Sequence, residues 1–102
     1  MKIKDLQKNF LDKGTFRGEM FLLPPDITLD FVHECHKKNV EILGIDAFFI
    51  KGDAIQPILE HSIDFSSSYY RQKGENIFED ALLFLQDRMH LDIYFEIIVK
   101  LP

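Results

Sequence analysis

The sequence has no tryptophan, one cysteine, five glycines and four prolines. A single thiol, Cys35, excludes an intramolecular disulfide framework and fits a reducing compartment. No apolar run approaches the 18 or so residues that cross a bilayer. The opening residues, Met1-Lys2-Ile3-Lys4-Asp5, lead into a polar stretch and not into the apolar centre of a secretory signal. The expectation is a cytoplasmic protein with no membrane contact. Basic residues are also few, 12 Lys+Arg against 17 Asp+Glu, for a net charge of −5. Nucleic-acid binding usually needs a basic face. Direct binding of nucleic acid is therefore not expected, and a basic protein partner is.

Apolar side chains are plentiful: 46% of the 102 residues are hydrophobic, ten of them Phe. That excludes a disordered chain and supplies one modest core, so residues 1–102 read as a single domain. Charge is uneven. Residues 1–18 hold five basic and two acidic groups, whereas 39–70 hold five acidic and one basic, and 75–96 six acidic and one basic. Residues 1–23 thus form a basic arm on an acidic remainder, 24–102.

Periodicity predicts the elements. Ile3, Leu6, Phe10 and Leu11 suit a short helix over 3–12, stopped near Gly14. Pro24-Pro25 bars a regular element through it. Asp26 or Thr28 can cap a second helix running to about Lys38, with Ile27, Phe31, Val32 and Cys35 on its apolar side. Asn39 then stands where a helix end favours the left-handed conformation. Glu41–Ile50, apolar on both faces, reads as a central strand. Lys51–Ala54 is a turn, and Ile58–Ser66 alternates as a second strand. A third helix spans about 75–89, and Asp92–Leu101 is a third strand.

The order α-α-β-β-α-β predicts an α+β fold: an antiparallel or mixed three-stranded sheet, Glu41–Ile50 in its middle, with helices packed on one face. Leu43, Ile45, Ile63, Phe95 and Ile97 should meet the helices. The uncovered face should then carry Asp46 and Phe48, Glu60, Ser62, Asp64 and Ser66, and Tyr94 and Glu96, with Tyr69 and Tyr70 at its rim. Carboxylates on a rigid face attract Lys and Arg, and aromatic rings add contact area at small entropic cost.

Lys37-Lys38-Asn39-Val40-Glu41-Ile42-Leu43-Gly44-Ile45-Asp46 resembles a segment of the immunity protein of the E-group colicin that cleaves tRNA anticodon loops. Ile63-Asp64 followed by Ser66-Ser67-Ser68-Tyr69-Tyr70 resembles its Ile-Asp, serine-rich, aromatic segment. The last helix and strand match its end in pattern, so the resemblance runs from Pro24 to Pro102. It implies a small bacterial protein that is not an enzyme and that plugs the basic tRNA cleft of a toxin's C-terminal nuclease domain. Asp46 and Asp64 match family motifs, and Tyr69 or Tyr70 matches its aromatic. Asn39 replaces a glycine of that family. Ala47-Phe48-Phe49-Ile50 replaces a Gly-Gly-His-Trp stretch, which implies a different partner specificity. The arm before Pro24 has no counterpart.

Other chemistry finds little support. His33 and His36 are spaced to share a metal, but no further ligand pair stands out, so no metal and no cofactor is expected. His61 falls on the inward row of the second strand. No nucleophile, base and orienter assemble by spacing. The expected state is a monomer. The competing reading is a homo-oligomeric or regulatory module in which Phe48, Ile50 and Ile98 form a self-complementary patch.

Overall fold

The computed structural model describes residues 1–66 and 76–102. Tyr69 and Tyr70 lie outside the described residues. The fold is α+β. In chain order the elements are α1 (Ile3–Gln7), β1 (Thr15–Arg17), β2 (Met20–Leu22), α2 (Pro25–Lys37), β3 (Glu41–Lys51), β4 (Ala54–Pro57), a 3-10 turn (Leu59–His61), β5 (Ile63–Asp64), α3 (Ile77–Gln86) and β6 (Tyr94–Lys100).

The first helix is shorter than its pattern predicts, because the chain turns after Gln7 and then forms the β1–β2 hairpin. The arm nevertheless joins the common core. Leu6 and Leu23 are buried, Phe10 meets the Phe31 ring edge-on at 5.1 Å, and Leu23 exchanges two backbone hydrogen bonds with Phe95 (2.9 and 2.8 Å).

Helix α2 starts earlier than its polar residues suggest, two residues before an Asp26 cap and four before a Thr28 cap. Pro24 is the N-cap and Pro25 occupies the first helical position, where its missing N–H removes no hydrogen bond. Neither Asp26 nor Thr28 caps the helix. The Thr28 hydroxyl donates to the Leu23 and Pro24 carbonyls (3.0 and 2.8 Å). At the other end Asn39 adopts φ +58°, and the Val40 N–H bonds the Cys35 carbonyl at 2.8 Å. This is the left-handed stop that the asparagine foreshadowed.

Strand β3 is central, as its two apolar faces predict. It pairs antiparallel with β6 on one side and with β4 and then β5 on the other. The sheet therefore has four strands, not three, and the β1–β2 hairpin forms a separate pair. The alternating stretch 58–66 is not one strand. It leaves the ladder at Ile58, makes the 3-10 turn and rejoins for two residues.

A register shift between Ile42 and Gly44 makes Leu43 a bulge. A bulge moves later side chains to the other face. Ile42 and Ile45, three apart, both enter the core, whereas Leu43, expected there, does not. Phe31, Val32 and Cys35 of α2 and Ala81 and Leu85 of α3 close over Ile45, Ala47 and Phe95 from one side. Each buried Phe, Val, Leu or Ile side chain among them contributes about 1.5–3 kcal/mol. Phe49, two residues beyond the buried Ala47, is 38% exposed.

Candidate functional site

The register of β3 with its neighbours builds the face opposite the helices. Asp46 stands across from Glu96, Gly44 from Ile98 on one side and Asp64 on the other, and Phe48 from Tyr94. At the β6 edge Glu96 and Ile98 line a depression with Ile3 and Gln7 of α1, so the first helix stands beside that end of the face. Gly44, Asp46, Asp64, Ser66 and Ile98 line a shallow depression of about 300 Å³. A side chain at position 44 would crowd the β5 backbone, since its Cβ would sit 3.0 Å from the Ile63 carbonyl.

The three carboxylates differ in environment. Asp64 is exposed and accepts from the Ser66 hydroxyl (2.5 Å) and the Ser66 N–H (2.8 Å). Those bonds hold its pKa below the ordinary value. Asp46 is half-buried, and its pKa is raised first by that burial and then by the charge of Asp64. Glu96 is raised in the same way, by burial and then by Asp46. Among the described residues the one ion pair is Lys38 with Glu34 at 3.7 Å, so no cation there neutralises this group.

Other expected site residues fare differently. Tyr94 is half-buried beside the carboxylates, and Ser66 is exposed and bonded to Asp64. Phe48 is on the expected row but only 7% exposed, flanked in the ladder by Pro57 and Tyr94. At that end Arg17 of β1 donates to the Gly52 carbonyl in the β3–β4 turn (3.3 Å), so the N-terminal hairpin reaches across to it. Glu60 is exposed on the 3-10 turn and takes no part in the ladder. With Phe48 buried and Ile50 and Ile98 half-buried, the self-complementary apolar patch loses its aromatic centre.

His33, His36 and His61 are packing and hydrogen-bonding residues. His36 stacks on Phe78 with centroids 3.8 Å apart, and His33 meets the same ring edge-on at 5.4 Å. His61 is on the turn, not on an inward strand row, and its Nδ1 accepts from Arg88 Nε at 3.2 Å. No group of three His, Cys, Asp or Glu among the described residues could hold a metal ion. No helix of the described residues is long and apolar enough to cross a membrane.

Ser62, expected among the open-face residues, is instead half-buried and bonded inside the sheet edge, a role the sequence did not disclose. Its hydroxyl accepts from the Ala47 N–H and donates to the Ile58 carbonyl, both at 2.8 Å, and so stands in for the strand pairing that the turn removes. Pro57, which cannot donate to a ladder, ends the β4 pairing opposite Phe48.

Comparisons of the chain with protein-family models, with curated proteins and with solved structures found no match.

Proposed function

We propose that the chain is an immunity protein that binds a bacterial toxin's nuclease domain and neutralises it by covering its basic cleft. One observation carries the reading: Asp46, Asp64 and Glu96 share one rigid sheet face with no cation paired to them among the described residues. Two of them have raised pKa values, so their charges are poorly compensated in the free protein. A partner's Arg or Lys supplies the missing compensation through charge-assisted hydrogen bonds. A ribonuclease cleft offers such groups because it holds phosphates, and carboxylates can take the phosphates' places. Tyr94 adds an aromatic ring to the same face.

The resemblance of residues 37–46 and 63–70 to the anticodon-nuclease immunity family supports a tRNase as the target. In this role the protein performs no chemistry and acts in the cytoplasm, where the toxin's substrate is. The test is co-purification with the C-terminal domain of a toxin encoded in the adjacent reading frame. Asp46→Lys and Asp64→Lys are expected to abolish capture and protection of cells while the far-UV circular dichroism stays unchanged. Folded variants that protect as well as wild type would falsify the assignment of this face.

A further inference from the structure

A lone exposed leucine is ordinary on a protein surface. Leu59 differs in how firmly it is held out. It is 86% exposed and opens the 3-10 turn at the sheet edge. The turn is braced from two directions. From β3, the Ala47 carbonyl accepts from the Ile58 N–H (2.8 Å), and Ser62 links the Ala47 N–H to the Ile58 carbonyl. From beyond α3, Arg88 bonds His61, donates to the Phe84 carbonyl (3.0 Å) and lies 3.8 Å over the Phe84 ring.

The turn leaves the ladder at Pro57, opposite Phe48, and rejoins at Ile63, opposite Ile45. It therefore stands at the edge level with Asp46, and Glu60 follows Leu59 directly. Wet carboxylates speed encounter but add little net affinity, because solvent screens them. A durable complex needs a desolvated apolar anchor, and a preorganised one loses little entropy on binding.

We propose that Leu59 is that anchor: it enters an apolar pocket beside the cationic cleft whose Lys and Arg meet Asp46 and Asp64. The inference rests on the toxin-binding reading and names the residue that supplies its apolar contact. The partner surface it fits is cationic with an apolar socket at its margin, the socket facing Leu59 and the neighbouring Glu60.

The experiment measures binding kinetics of the purified chain with the catalytically inactivated C-terminal domain of the toxin encoded in the adjacent reading frame. Leu59→Asp is expected to weaken binding by about 10- to 100-fold, mostly through faster dissociation. Leu59→Met is expected to keep most of the affinity. Neither variant should lower the unfolding temperature, since Leu59 buries almost nothing in the free protein. The aspartate adds negative charge, which on its own favours a cationic partner, so a loss reports the apolar contact. Wild-type binding with undiminished binding by Leu59→Asp overturns the anchor and leaves the acidic face standing. No wild-type binding overturns the toxin-binding reading and the anchor with it.

Discussion

Asp46 and Glu96 stand directly opposite one another in the β3–β6 ladder, two like charges on neighbouring strands. Such pairs are destabilising, and here Asp64 adds a third negative group across Gly44. Fold stability alone gives no reason to keep them together. A cationic partner does, because its arrival converts repulsion into attraction. Sites of this kind commonly trade stability for binding.

Removing one of the opposed charges should therefore stabilise the free protein. Asp46→Asn is expected to raise the unfolding free energy at pH 7 by a few tenths to about 1 kcal/mol, toward the low end because solvent screens the pair. Urea denaturation measures it. A clear loss of stability in Asp46→Asn would show that the carboxylate has a structural partner.

The pH dependence has a definite sign. Asp46 and Glu96 have folded pKa values above their ordinary ones, so folding favours their protonated forms. Their cost is absent below the unfolded pKa and complete once pH has risen through the folded pKa. The advantage of Asp46→Asn over wild type should thus shrink as pH is lowered from 7 through the carboxylate range. Asp64 behaves oppositely. Its pKa is lowered, so its contribution is present above the unfolded value and is lost as pH falls through the folded one. Denaturation series at several pH values on Asp46→Asn and Asp64→Asn should diverge in these directions.

Ser62→Ala should destabilise the sheet edge. It strands the Ala47 N–H, which bonds the Ser62 hydroxyl at 2.8 Å, and a buried donor left unpaired costs about 1–3 kcal/mol. Ser66→Ala, at an exposed position, is the comparison and should change unfolding free energy far less.

Cys35 should be chemically silent in the folded protein. It is fully buried, and burial, with the nearby charge of Glu34, pushes its thiol up to about 12. Reaction with a disulfide reagent at pH 8 should be negligible until denaturant unfolds the chain. Rapid labelling of the native protein would mean that α2 opens readily.

The strands were read best where one strand met its neighbours over its whole length. Asp92–Leu101 alternates cleanly, and β6 follows it over Tyr94–Lys100 with Phe95 inside and Glu96 and Ile98 on the outer row. Ile58–Ser66 alternates as well, yet only Ile63–Asp64 is strand. Alternation records which side chains can be buried. It does not record whether β3 has a free N–H and C=O to offer at each position. Ser62 occupies the Ala47 N–H, and the chain turns away.

Within the candidate site, Asp46, Asp64, Ser66, Tyr94 and Glu96 were legible because strand parity is local. Phe48 was misread as free, since its burial depends on Pro57 and Tyr94 on the flanking strands. The braced turn around Leu59 was not legible at all, because the bonds that tie it to β3 and to Arg88 join residues 11 to 27 positions apart.

By itself the sequence determined the α+β class, the central place of Glu41–Ile50, the helix stop at Asn39 and the outward parity of the carboxylates. These follow from side-chain periodicity and backbone preference, which act over a few residues. Only the tertiary structure decided the bulge at Leu43, the broken edge at Leu59–His61, the hairpin's reach to Gly52 and the pairing of Asp46 with Glu96. Those depend on which distant backbone groups compete for the same hydrogen bonds, and that competition exists only once the chain has closed on itself.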